Sequence, residues 1–249
     1  MRTSNPALTD NTFSNFGGAF ARSDAMTIEG TVAKTGVLLA CVIVTAAWSW
    51  SRVAAPGGGA EMGGYLVLGG IGGFITALVT IFKKNWAPVT APIYALCEGL
   101  LLGGISAVTE RSYPGIAVQA TALTFGTLLC LLLAYRSGLI RATEKFRLGV
   151  VAATGAIFVV YLVAMVLSLF HVQAAASIFG SGMVGIGFSL FVVVIAALNL
   201  VLDFDFIERG AAQGAPKYME WYGAFGLMVT LIWLYLEILR LLAKFRSRD

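Results

Sequence analysis

The stretch AALNLVLDFDFIERGAAQG, residues 196–214, closes a long apolar segment with two carboxylates, Asp203 and Asp205. A third acid, Glu237, lies well inside the last apolar run, GAFGLMVTLIWLYLEILRLLAKF, residues 223–245. An acid within a segment of membrane-spanning length costs about 2.5–3.5 kcal/mol on insertion scales. The two segments therefore predict a pair of membrane helices whose acids are the working part of the molecule.

The composition predicts a protein that crosses the membrane several times. The chain has 249 residues, of which 58% are hydrophobic and 12% are charged, and its mean hydropathy is +0.85. A soluble domain carries about 25% charged residues, and a soluble core of this size could not hide so much apolar surface. The net charge of +4 is small and dispersed, so the expected partner is the bilayer and not a nucleic acid.

Seven apolar runs predict an all-α fold of seven transmembrane helices. Each has close to the roughly 20 residues that cross a hydrocarbon core of about 30 Å, and backbone groups in lipid must be paired within a helix. The runs are 32–51, 62–82, 87–108, 114–135, 148–170, 180–203 and 221–243. We expect residues 1–30 to form a polar N-terminal tail, 31–245 a single membrane domain and 246–249 a short C-terminal tail.

The basic residues of the loops predict the orientation in a plasma (inner) membrane. One side has only Arg52 and Arg111, whereas the other has eight basic residues, which places the second side and the N-terminus in the cytoplasm: Lys83, Lys84, Arg136, Arg141, Lys145, Arg147, Arg209 and Lys217. Seven crossings then put the C-terminus outside, although its Lys244, Arg246 and Arg248 favour the cytoplasm. Either the tail is a tolerated exception or one run does not fully cross.

Three acids are candidates for a pathway or a proton relay: Glu98 in the third run, Asp203 at the end of the sixth and Glu237 in the seventh. Two alternatives stay open at this point, a solvated helix end for Asp203 and Asp205 and a structural, hydrogen-bonded acid for Glu98 and Glu237. Two adjacent carboxylates could share a proton and, when ionised, offer the oxygen ligands that calcium prefers. The candidate basic partners are Lys83, Lys84 and Arg240.

Enzymatic chemistry is not expected, and neither is a cofactor. The single histidine, His171, has no metal-spaced partner, and nothing marks it as a base for Ser106. The cysteines, Cys41, Cys97 and Cys130, sit singly within apolar runs. Small residues four apart, such as Gly69 with Gly73 and Gly99 with Gly103, favour close helix packing.

Three motifs carry a resemblance to the Bax inhibitor-1 family, in particular to its bacterial branch. LVLDFDFI, residues 200–207, is similar to the family's apolar run ending in Asp with Ile four residues later. LYLEILRLL, residues 234–242, is similar to a segment of the family's last helix. YALCEGLLLGGIS, residues 94–106, is similar to the third-helix motif. The similarity covers about residues 30–245.

The resemblance implies six helices around a central last one and a pH-sensitive calcium leak gated by two aspartates in the last two helices. Asp203 matches the first acid and Glu237 the second, where Glu replaces the family's Asp. We therefore expect Asp203 and Glu237 to form a proton-sharing pair that binds calcium transiently, with Glu98 and Asp205 in a secondary role. The two acids can meet only if residues 217–222 are not a continuous helical start. The alternative function is a non-conducting regulator that binds other membrane proteins.

Overall fold

The computed structural model describes residues 25–170 and 180–248, and His171 lies outside these ranges. The described residues contain seven helices that are long and apolar enough to cross a membrane, and no β-strand. The helices are α1 (Ile28–Ala54), α2 (Gly59–Phe82), α3 (Ala87–Ser112), α4 (Ile116–Arg136), α5 (Glu144–Leu169), α6 (Met183–Ala212) and α7 (Met219–Arg246), with a short 3-10 turn, Lys84–Trp86, before α3. The predicted fold class is confirmed.

The start of α1 and the end of α6 differ from the hydropathy pattern in ways that bear on the acids described below. Helix α1 starts at Ile28, inside the segment expected to be a tail, because the side chain of Thr27 caps it by accepting a 3.0 Å hydrogen bond from the Gly30 amide. Helix α6 does not end near Asp203 but continues for nine more residues to Ala212. Its 30 residues measure about 45 Å, so its polar last turns extend beyond a hydrocarbon core of about 30 Å.

Helix α7 is the most buried of the seven and packs against α1, α3, α4 and α6. Near its start, Phe225 meets Tyr94 of α3 edge to face, with ring centroids 5.0 Å apart. Further along, Leu234 lies in a second apolar cluster with Leu200 of α6 and Ile116 of α4. The last helix is therefore the core of the bundle, which matches the expectation from the resemblance.

Glycines set the close approach of α1 and α2 to α3. A Cβ atom on Gly103 would overlap the carbonyl of Ala46 in α1, and one on Gly99 would overlap Thr45. A Cβ on Gly69 of α2 would lie 2.7 Å from the carbonyl oxygen of Cys97. Dispersion between closely packed backbones replaces the missing hydrophobic drive in lipid, so these glycines hold the first three helices together.

The starts of α1, α3, α5 and α7 lie at the same end of the bundle, which we call the basic end because the eight basic loop residues cluster there. The chain reaches the opposite end at Arg246. There Lys244 donates to the carbonyl of Gly185 at 2.9 Å, and Arg246 donates to the carbonyl of Pro114 at 2.7 Å. Two of the three basic residues of the C-terminal segment thus have partners within the protein.

Candidate functional site

Three carboxylates lie buried in the hairpin of α6 and α7. Asp203 is 1% exposed, Glu220 is 0% exposed and Glu237 is 2% exposed. Glu220 lies at the basic end, one residue after the start of α7. Asp203 lies nine residues before the end of α6, and Glu237 lies nine residues before the end of α7. Each of these two acids is therefore about 13 Å from one end of the bundle, Asp203 from the basic end and Glu237 from the opposite end.

Asp203 and Glu237 do not form the predicted pair in this structure. Measured from the basic end, Asp203 is about 13 Å deep and Glu237 about 27 Å deep, because each helical residue advances the chain by about 1.5 Å. The reason is the one that the sequence allowed for: α7 is helical from Met219, so four of the six residues 217–222 already belong to the helix and do not shorten it. A shared proton or a joint calcium site needs contact between the two carboxylates, whereas Asp203 and Glu237 lie at different depths in the bundle.

Glu237 has other partners. The hydroxyl of Tyr161 in α5 donates to its Oε1 at 2.9 Å, and Nη1 of Arg240 donates to the same oxygen at 2.9 Å. Arg240 also donates to the Tyr161 hydroxyl at 2.7 Å. Arg240, one of the three basic candidates, thus binds a buried acid, in a charge-assisted arrangement stronger than a neutral hydrogen bond.

The two lysines of the α2–α3 connection lie against aromatic rings. The ammonium of Lys83 is 4.6 Å from the ring centre of Trp86, and that of Lys84 is 5.6 Å from the ring centre of Tyr222. Both contacts are of the cation–π type. Both lysines therefore lie at the basic end of the bundle and not beside Glu237.

Asp205 is a half-buried ion-pair partner and not a solvated helix end. Nη2 of Arg147 in α5 donates to its Oδ2 at 2.7 Å, and Nε of Arg209 donates to its Oδ1 at 3.1 Å. Two arginines compensate the carboxylate, so Asp205 offers less unpaired charge to a passing cation than the sequence suggested. The Arg147–Asp205 pair fixes the start of α5 to the last turns of α6, whereas the Arg209–Asp205 pair lies within α6.

Glu98 is partly buried between α2 and α3, apart from the α6–α7 acids. Its neighbours are Tyr94, one turn earlier in α3, and Gly73 of α2, where a Cβ atom would lie 2.7 Å from the Glu98 carboxylate. The missing side chain at Gly73 therefore makes room for the acid. Within residues 25–170 and 180–248 there is no group of three or more His, Cys, Asp or Glu that could hold a metal ion.

Glu220 is a buried acid that the sequence analysis did not select. Its carboxylate accepts hydrogen bonds of 2.9 Å from both the amide and the hydroxyl of Thr27, and it pairs with Lys34 and, at 2.8 Å, with Lys217. The acid thus fastens the start of α1 to the start of α7. The spacing of three residues between Lys217 and Glu220 is typical of a local ion pair and is visible in the sequence. Thr27 and Lys34, by contrast, are almost 200 residues away, and only the fold brings them near Glu220.

No curated protein and no solved structure matches the chain. A sequence profile described as Bax inhibitor 1 like matches residues 5–247, which is nearly the whole length. The described residues of the matched chain contain seven membrane-length helices, of which α7 is the most buried. This multi-pass membrane protein belongs to the Bax inhibitor 1 like family.

Proposed function

We propose that the protein is a proton-modulated leak pathway for cations, calcium among them, in the plasma membrane, with the basic end in the cytoplasm. The observation that supports this most is the burial of three carboxylates, Asp203, Glu220 and Glu237, in the central hairpin. Buried acids inside a membrane bundle are costly, and they commonly mark ion pathways and proton relays. The proposal involves no enzymatic step.

The acids act in this proposal as separate steps at different depths. Carboxylate oxygens are the ligands that calcium prefers, so a cation can move between Glu237, nearer the opposite end, and Asp203, nearer the basic end. Each acid attracts the ion only weakly by itself, which suits passage better than a tight, multidentate site would.

Glu237 is the proposed proton sensor. When it is ionised, its carboxylate holds Arg240 and Tyr161, and the acid is closed to a cation. Protonation removes the negative charge, which weakens the hold on Arg240. We therefore expect the leak to increase as the pH falls.

The test is calcium flux into vesicles that contain the purified full-length protein, measured across a range of pH. Glu237→Gln removes the ionisable group, so we expect a high flux at neutral pH and a loss of most of the pH response. Glu29→Gln is the matched control, because Glu29 is an exposed acid in the first turn of α1. A pH response that survives Glu237→Gln would remove Glu237 from the sensor.

The same measurement separates the leak from a non-conducting role. If vesicles with the folded parent protein take up calcium no faster than protein-free vesicles at any pH, the proposal of a cation leak is wrong. The alternative, a regulator that binds other membrane proteins, would then be favoured.

A further inference from the structure

Helix α5 contacts the rest of the bundle along one narrow face. We call this contact, which contains both apolar and polar residues, the seam. Among the seven helices it is the least buried, and its packing is chiefly against α6. Its buried apolar residues are Val150 and Ile157, and Ile157 lies in a small cluster with Val192 and Ile195 of α6. Most of its remaining apolar residues face outward, so little apolar contact would be lost if α5 moved away.

The seam is held by polar contacts at three levels. Near the basic end, Arg147 bonds to Asp205 at 2.7 Å; at mid-depth, Asn199 donates to the hydroxyl of Thr154 at 2.9 Å. Towards the opposite end, Tyr161 donates to Glu237 at 2.9 Å. The α5 members of these contacts are residues 147, 154 and 161, seven apart, so they lie on one face of the helix.

The contacts together cover most of the membrane. The 14 residue steps from Arg147 to Tyr161 rise about 21 Å, against a hydrocarbon core of about 30 Å. The buried Asp203 belongs to the same strip of α6 as Asn199, because residues four apart lie one turn from each other on a helix face. The seam is thus a polar line running across the bundle between α5 and the α6–α7 hairpin.

We propose that this seam is the route of the cation and that α5 is the element that opens it. The inference rests on the proposed leak and specifies where the ion passes. Separation of α5 leaves Asp205, Asn199 and Glu237 facing water along the seam, so a cation finds an oxygen ligand at each level. In the closed state Arg147 bonds to Asp205 and Tyr161 bonds to Glu237, and separation of α5 withdraws both of these α5 side chains from the acids. Arg209 and Arg240 belong to the hairpin itself and stay beside the two acids.

A disulfide between α5 and α6 tests the route. With Cys41, Cys97 and Cys130 replaced by serine, Ile157→Cys and Val192→Cys place two thiols in the small cluster of the seam. The matched control places thiols at Ala120 and Ala196, which link α4 to α6 within the second apolar cluster. Mass spectrometry establishes that each disulfide has formed before calcium flux is measured in vesicles.

We expect the α5–α6 disulfide to reduce flux to the level of protein-free vesicles, with recovery on reduction, and the α4–α6 disulfide to leave flux unchanged. If the unlinked protein conducts and the α5–α6 disulfide does not reduce its flux, the seam is not the route, while the leak itself stands. If the unlinked protein does not conduct, the proposed leak fails and the route fails with it.

A second variant avoids reliance on disulfide geometry. Asn199→Leu replaces the mid-depth polar group by an apolar one of similar size, so a hydrated route would lose its central step and flux should fall severalfold. Ala152→Leu, on the exposed side of α5, is the control and should conduct like the parent. Equal flux from Asn199→Leu and Ala152→Leu in folded protein would contradict the proposal that the seam is the cation route.

Discussion

Single side chains of the α6–α7 hairpin lie at separate positions, and Asp203 and Glu237 show this most clearly. Their depths differ by about 13 Å, and Tyr161 and Arg240 bind Glu237. Sites more than about 7–10 Å apart without shared partners usually have additive effects, within about 0.3–0.5 kcal/mol. The two acids should therefore contribute independently, and not as the unit that the resemblance implied.

The first prediction is that Asp203→Asn and Glu237→Gln have additive effects on the logarithm of calcium flux. Asp203→Asn should lower flux at every pH, because the route loses the negative charge of a buried carboxylate. Glu237→Gln should raise flux at neutral pH. The double variant should then equal the combination of both single effects. A double variant that behaves like either single variant would show that the acids act together after all.

The second prediction concerns Gly30, which lies beside the carboxylate of Glu220. A Cβ atom there would overlap that carboxylate, whereas one on Gly36 of the same helix would meet nothing within 4 Å. Gly30→Ala should lower the free energy of unfolding by about 1–3 kcal/mol, as overpacking typically does. Gly36→Ala should be neutral or slightly stabilising. Thermal unfolding in detergent compares the two, and equal melting temperatures would contradict the tight contact.

At the scale of helices, the approach of α1 to α3 depends on a missing side chain at Gly103. A third prediction is that Gly103→Ala pushes the two helices apart and costs about 1–3 kcal/mol, since a Cβ would overlap the Ala46 carbonyl. Gly126 of α4 has nothing within 4 Å of such a Cβ and provides the control. The melting temperature of Gly103→Ala should fall while that of Gly126→Ala should not, and the reverse order would exclude this packing role.

For the whole molecule, the fourth prediction is the orientation. With all native cysteines replaced, a single cysteine at Ser137, in the α4–α5 connection of the basic end, should react with an impermeant thiol reagent only after the membrane is opened. A single cysteine at Ser247, at the opposite end, should react in intact cells. Labelling of both positions, or of Ser137 alone, in intact cells would overturn a cytoplasmic basic end.

The sequence by itself determined the class of the protein, the seven helices and the presence of acids where lipid makes them costly. These are properties of local composition: about 20 apolar residues in a row need a helix in lipid, whatever lies beside it. The glycine spacings of α2 and α3 also predicted close packing, because they depend only on which residues share a helix face. The seven-residue spacing of Arg147, Thr154 and Tyr161 was equally local and could have been read.

Tertiary structure decided which partner each acid has. The depth of Asp203 relative to Glu237 depends on where α6 ends and α7 begins, and a few residues of polar helix beyond the apolar run displace one acid from the other by two turns or more. Glu220 is bonded to Thr27 and Lys34 because α1 and α7 are neighbours. Glu237 is bonded to Tyr161 because α5 lies beside it. Hydropathy is read along one chain segment, whereas a hydrogen bond depends on which two helices are adjacent and in what register, and only the folded bundle fixes both.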